Sequence, residues 1–265
     1  MLILYQEPDT PETRASLNQE SVYCFHCHPD LICFKRCCQE ATIILSPYDI
    51  LRLSCRLGLT TGEFLQRHTL RREESRSRLP LVLVKHARTG GCPFLGPGGC
   101  RVYEDRPAAC RLFPLAQGSE LTPRGIADHY FLRRLEYCQG FAGEREWTIA
   151  AWQADQGFNE FDQPRRPWLG LLLRQGQPGQ IPPDHRLLSQ FYMMAYDLDA
   201  FRTFLFESAF LRAHRLTLEE ALPLASDDLA LIRFSAACLE YLLFPEAARP
   251  LGQALAAILA DSGLE

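Results

Sequence analysis

The chain has 265 residues, enough for one large domain or two modest ones, and its 47% hydrophobic and 23% charged content is an ordinary globular balance. A formal net charge of −4 offers no basic stripe to a nucleic acid, and the arginines, which greatly outnumber the lysines, are scattered among acids. No segment approaches the roughly 18 consecutive apolar residues that span a bilayer, and the opening Met-Leu-Ile-Leu-Tyr-Gln-Glu-Pro lacks the basic start of a signal peptide, so a cytoplasmic protein with no membrane partner is expected. In that reduced compartment the eleven cysteines are poor candidates for structural disulfides and need another explanation.

Residues 1–20 are polar, contain Pro8 and Pro11, show no periodicity and read as a flexible lead-in. Residues 21–160 read as a cysteine-rich domain. Ala41–Leu45 has the apolar, β-branched character of a short strand, and Ser46-Pro47 then supplies an N-cap and a proline at the first helical position. That helix should stop at Gly58, and Thr60 with Glu63 forms a capping box opening a second helix through Leu70. Arg71–Arg78 reads as a charged connector and Leu81–Lys85 as a strand. Gly96-Pro97-Gly98-Gly99 is a turn without the spacing of a phosphate loop. Trp147–Gln156 reads as helix.

Residues 161–265 read as a helical C-terminal region, which the first part could join as one continuous body. A Pro/Gly/Gln-rich stretch over Gln175–Pro183 marks a linker. Leu187, Phe191, Met194, Leu198, Phe201 and Leu205 recur at helical spacing, as do Leu229, Ile232, Ala236, Leu239 and Leu243, and a closing helix is expected over Ala247–Leu259. The fold class expected is α+β and helix-dominated, with a small loop-rich cysteine domain, few short strands and C-terminal helices.

Cys24, Cys27, Cys33, Cys37 and Cys38 form one group, Cys92, Cys100 and Cys110 a second, and Cys138 stands apart. Thiolates suit zinc, Cu(I) and iron–sulfur clusters, each usually taking about four. The spacing is neither that of a zinc ribbon nor the regular ferredoxin run. If Cys33 and Cys37 share a helical turn, both sulfurs face one way and Cys38 points about 100° aside. Two neighbouring thiolates are poorly placed to share one ion. That favours two metal centres, or one cluster with spare thiols beside it.

Lys35, Arg36, Arg101, Arg106 and Arg111 lie within a few residues of these thiols and could compensate their charge, or be surface residues paired with Glu104 and Asp105. Cys55 and Cys238 fall on helices as small core residues, and Cys24 is undecided between ligand and bystander. His28 more simply packs or hydrogen-bonds than ligates, and His86 and His129 read as satisfied histidines. No Gly-x-Ser-x-Gly or other nucleophile context appears, so no catalytic residue is identified.

Cys27-His28-Pro29, Cys33, Cys37-Cys38, Cys92-Pro93-Phe94-Leu95, Cys100-Arg101-Val102-Tyr103 and Arg106-Pro107-Ala108-Ala109-Cys110-Arg111-Leu112-Phe113-Pro114 together resemble the YkgJ-type cysteine-cluster family, described as zinc- or iron-chelating. The resemblance continues through Cys138-Gln139-Gly140 and the expected Trp147-Thr148 helix to the Phe191–Phe206 helix. It departs from the common Cys-x2-Cys-x2-Cys-Cys opening, where the spacing here is longer. By this resemblance the metal ligands are Cys27, Cys33, Cys37, Cys38, Cys92, Cys100, Cys110 and Cys138, with Arg106 and Arg111 supporting them. A related flagellin lysine methylase is associated with an iron–sulfur cluster, which turns the expectation toward iron, as a [4Fe–4S] centre, rather than zinc. Three functions follow as expectations: a redox or metal-assisted role on an unknown protein partner, a structural zinc module for protein interaction, or a protein-modifying enzyme. The last lacks any glycine-rich strand–turn–helix to hold S-adenosylmethionine.

Overall fold

A computed structural model describes residues 2–3, 17–88 and 90–262, and the chain forms two compact units. The first comprises Met1–Leu45, His68–Leu70 and Leu83–Gln163; the second comprises Ser46–Arg67, Arg71–Val82 and Pro164–Glu265. The fold is α+β and helix-dominated, with small sheets and a succession of C-terminal helices.

The longest strands of the first unit, Leu115–Thr122 and Gly125–Leu132, form an antiparallel hairpin in continuous register from Leu115 opposite Leu132 to Thr122 opposite Gly125. Leu2–Ile3 pairs with Ser119 and Gly118 on one edge, and the Leu17 N–H donates to the Tyr130 carbonyl at 2.8 Å on the other. Residues 1 and 4–16 of the expected lead-in lie outside the described residues.

A second pairing sets Val22–Cys24 against Glu146–Thr148, with Trp147 opposite Tyr23. Trp147 is therefore a strand residue and not the start of a helix. The helix begins at Ile149, because Thr148 accepts from the Ala151 N–H and caps it. Phe25 is buried between Phe113, Phe141 and Trp152 at centroid distances of 6.0, 5.1 and 5.6 Å, all edge-on. The Trp147 and Trp152 indoles donate to the Phe25 and Leu112 carbonyls, each at 3.0 Å. Edge-to-face rings with satisfied indoles make a rigid core, and the cysteine loops are built on it.

In the second unit the helix Pro47–Leu57 starts and stops where expected: Ser46 and Asp49 form a reciprocal capping box, and Gly58 closes it at φ 65°. The Thr60–Glu63 box opens the next helix, Thr61–His68, which ends two residues before the expected Leu70 because Thr69–Glu73 is a strand. The single helix expected across Leu187–Leu205 is two, His185–Tyr196 and Leu198–Glu207. Asp197 leaves helical geometry and its carboxylate accepts from the Ala200 N–H, so the break carries its own cap. Thr61 locks that corner, its N–H and hydroxyl donating to Asp199 at 2.7 and 2.8 Å.

Asp228–Leu243 packs against those two helices and against Leu251–Ser262. The closing helix starts four residues later than expected, with the Pro250 carbonyl as its first acceptor. Phe158–Gln175, unrecognised in the sequence, is helical despite Pro164 and Pro167.

Tyr196 sits at the centre of the second unit. Its hydroxyl accepts from the Trp168 indole at 2.9 Å and donates to the Pro80 carbonyl at 2.8 Å, and burial pushes the phenol above its ordinary pKa, so it stays a neutral donor. Tyr196→Phe leaves a buried N–H and a buried carbonyl unsatisfied, and should destabilise this unit by about 1–3 kcal/mol, read as a lower urea midpoint with an unchanged slope.

Candidate metal centre

All eight cysteines assigned by resemblance lie in the first unit, on three stretches around Phe25. Cys27 and Cys33 are on the loop after Val22–Cys24. Cys37 and Cys38 open the four-residue helix Cys37–Glu40. Cys92 and Cys100 flank the small hairpin of Leu95–Gly96 with Gly99–Cys100, and Cys110 is on the short helix Ala108–Leu112. Cys138 precedes the turn Gln139–Ala142. Cys33 and Cys37 do not share a helical turn as considered above: Lys35 between them adopts φ 71°, a left-handed residue that breaks the run.

Backbone hydrogen bonds draw these stretches together. The His26 N–H donates to the Gly140 carbonyl at 2.8 Å, and a Cβ at residue 140 would lie 2.6 Å from the Phe25 ring, so only glycine permits Cys138 to approach Cys27 this closely. The Gln139 N–H donates to Cys33 Sγ at 3.3 Å. On the other side the Cys92 N–H donates to the Cys38 carbonyl at 2.8 Å. The Phe94 and Leu95 N–H groups turn back onto the Cys92 sulfur, as the Gly140 N–H does onto Cys138. N–H donors aimed at sulfur favour the thiolate and tune what it binds.

The thiols form two neighbourhoods. Cys27 is acted on by Cys37, Cys138 and Cys33, and Cys138 by Cys33 and Cys37. Cys38 is acted on by Cys110 and Cys92, and Cys92 by Cys100. Cys37 and Cys38 touch through a thiol–thiol hydrogen bond. As acceptor, Cys37 is lowered to about 7, helped by Arg133; as buried donor, Cys38 is raised far above the usual thiol range. Partial burial, then the three neighbouring thiols, push Cys27 up to about 11, and burial raises Cys92 and Cys138. Crowded, half-buried thiols resist ionising together unless a cation joins them, and metal binding reverses that penalty.

Six of the eight, Cys27, Cys37, Cys38, Cys92, Cys100 and Cys110, line one cavity of 310 Å³ whose remaining wall is largely aromatic, with Arg106, Arg133 and Arg145 among the polar groups. Arg106 is 8% exposed. It stacks 3.9 Å from the Tyr103 centroid and donates to the Tyr103 carbonyl and the Gln156 amide oxygen at 2.7 and 2.8 Å. Arg111, 6% exposed, lies over the Phe161 ring and donates to the carbonyls of Arg106, Gln156 and Glu104. Arg101 donates to the Pro93 carbonyl at 2.8 Å and lowers Cys92. Lys35 reaches the Pro97 carbonyl, and Arg36 stacks on Tyr137. Arg133 has no motif to mark it among so many arginines. The N–H donors of Cys92-Pro93-Phe94-Leu95 were legible in principle as a tight turn opening on a cysteine.

Cys24 is exposed on its strand and belongs to neither neighbourhood. Cys238 is a core residue, as expected, but Cys55 is exposed, on the solvent side of Pro47–Leu57, and is not. His28 pairs with Asp30 at 3.5 Å, His86 meets the Ala41 carbonyl at 3.0 Å, and His129 meets Glu120 at 2.9 Å. Among the described residues no group of three or more His, Cys, Asp or Glu side chains is set to hold a metal ion as it stands. The donor chemistry nevertheless fits a soft metal: four thiols in each neighbourhood, N–H groups directed at sulfur, and a cavity into which most of them open.

Residues 26–139 match the family model CxxCxxCC, described as a putative zinc- or iron-chelating domain. The match is to this segment, less than half of the chain; it takes in the eight assigned cysteines and Cys55 and leaves out Cys24 and Cys238. No curated protein and no solved structure matches the chain. Among the described residues no helix is long and apolar enough to cross a membrane.

In the family's Arg-Pro-x2-Cys-Arg string, both guanidiniums hold the backbone that carries Cys110. Arg111→Lys keeps the charge but cannot reach three carbonyls from one planar fork. It should destabilise the first unit by about 3 kcal/mol and lower the metal retained per chain after dialysis, as measured by elemental analysis.

Proposed function

We propose that this zinc- or iron-chelating domain holds iron–sulfur clusters of the [4Fe–4S] type, with Cys27, Cys33, Cys37, Cys38, Cys92, Cys100, Cys110 and Cys138 as ligands, and serves a redox or metal-assisted role on a protein partner in the cytoplasm. The observation that carries this reading is the cavity of 310 Å³ lined by six thiols, whose wall carries one imidazole, His26, and one carboxylate, Asp155. Zinc in a closed four-thiolate site needs only sulfurs about 2.3 Å from one ion, whereas a cluster brings its own sulfides and needs room between the ligands.

A bound cluster would supply one-electron chemistry. The chain's own groups supply the setting. N–H donors to Cys33, Cys92 and Cys138 stabilise the thiolate form. Arg133 beside Cys37 and Arg101 beside Cys92 offset its charge. Phe25, Phe113, Trp147 and Trp152 keep water from that side of the cavity. Each of these acts on reduction potential through hydrogen bonding, charge or burial.

Protein purified without oxygen should be brown, contain iron and acid-labile sulfide, and absorb broadly in the visible, bleaching on addition of dithionite. Colourless protein with zinc at full occupancy and no iron or sulfide would overturn the iron–sulfur assignment in favour of a structural zinc module.

A further inference from the structure

We infer that the eight cysteines form two separate four-thiol centres, one of Cys27, Cys33, Cys37 and Cys138 and the other of Cys38, Cys92, Cys100 and Cys110, divided between the adjacent residues Cys37 and Cys38. The inference rests on the metal-binding reading above and adds which thiols act together.

The division follows from the backbone. Cys37 and Cys38 are consecutive at the start of a helix, so their side chains diverge by about 100°. Two different stretches approach the two sides. On the Cys37 side, the Gln139 N–H meets Cys33 Sγ at 3.3 Å, and the Gly140 carbonyl takes the His26 N–H at 2.8 Å, which brings Cys27, Cys33 and Cys138 together. On the Cys38 side, the Cys92 N–H takes the Cys38 carbonyl at 2.8 Å. Gly91 packs against the same turn: a Cβ there would sit 3.0 Å from Gln39 Cα, so the chain passes too close for a side chain. Leu95 pairs with Cys100, which returns that cysteine beside Cys92.

Proximity agrees with the backbone: Cys27 and Cys138 have members of the first set beside them, and Cys38 and Cys92 members of the second. At the boundary Cys37 and Cys38 meet through their own hydrogen bond. Four sulfurs per centre is the ordinary requirement of both zinc and a [4Fe–4S] cluster, so the arithmetic of the division is independent of the metal. Each centre draws one ligand from the Cys37–Cys38 step, and that places the two metals as near neighbours joined through a single peptide unit.

The test uses the full chain purified without oxygen, with metal and acid-labile sulfide measured per chain and the number of bound centres read by native mass spectrometry. Removing two ligands of one set, in Cys37→Ser/Cys138→Ser or in Cys38→Ser/Cys92→Ser, should halve the metal content and leave one intact centre. The crossed pair Cys37→Ser/Cys38→Ser should empty both. A within-set pair that empties the protein, or a crossed pair that leaves half, overturns the division. If a variant does not fold, stepwise chelation of the wild-type chain decides: a populated state holding one centre supports the division, and loss of all metal in one step overturns it. Two zinc ions per chain, halved by each within-set pair, would overturn the iron–sulfur reading and support the division. A chain that takes up neither metal would overturn both.

Discussion

The crowding of eight thiols around one aromatic core is the constraint on which the first unit depends. Brought together without a counter-ion, Cys27, Cys92 and Cys138 are raised first by burial and then by their neighbouring thiols, and Cys38 first by its hydrogen bond to Cys37 and then by burial. Such an arrangement costs stability unless the fold is held by something else or the thiols are joined by a cation. The first is visible here. The loops are tied at their backbones, by the His26–Gly140, Cys92–Cys38 and Arg133–Pro114 N–H to carbonyl bonds, while the sulfurs are left facing one another and the cavity.

The Arg-Pro-Ala-Ala-Cys-Arg string shows how a family motif becomes physical. Arg111 spends its fork on the carbonyls of Glu104, Arg106 and Gln156, and Arg106 spends its own on Tyr103 and Gln156. Two buried guanidiniums thus bind five acceptors on two stretches, Tyr103–Arg106 and Gln156, and the residue that lies between them in sequence is Cys110. Proximity in sequence to a thiol suggested charge compensation, but the structure gives these arginines backbone partners. Of the cations marked in the sequence, Arg101 acts on Cys92, and Arg133, which was not marked, acts on Cys37.

What the sequence made legible were features with local causes. Ser46-Pro47, Gly58 and the Thr60–Glu63 box carry their hydrogen-bond partners within four residues, so the helix starts could be read directly. The hairpin Leu115–Leu132 could not, because its strands are half-buried on both faces and show no clean alternation. Phe158–Gln175 was hidden by two prolines, and the break at Asp197 by an apolar rhythm that runs on through it. In the site, the cysteines announced themselves as a set by their number and by family likeness. The partition proposed for them could not be read, because it rests on which stretch approaches which side of a single helical turn, and that depends on contacts more than fifty residues apart in sequence.

That partition also bears on why the two cysteines are adjacent at all. At adjacent helical positions the two side chains leave the axis about 100° apart, although their thiols still meet in one hydrogen bond. With two centres the same geometry becomes an advantage: one short helix, preceded by a left-handed Lys35 that resets the chain direction, presents a ligand to each side at a fixed separation. Displacing Cys37–Glu40 therefore disturbs both sides together. The hydrogen bond from Cys38 to Cys37 further ties the protonation of one thiol to that of the other.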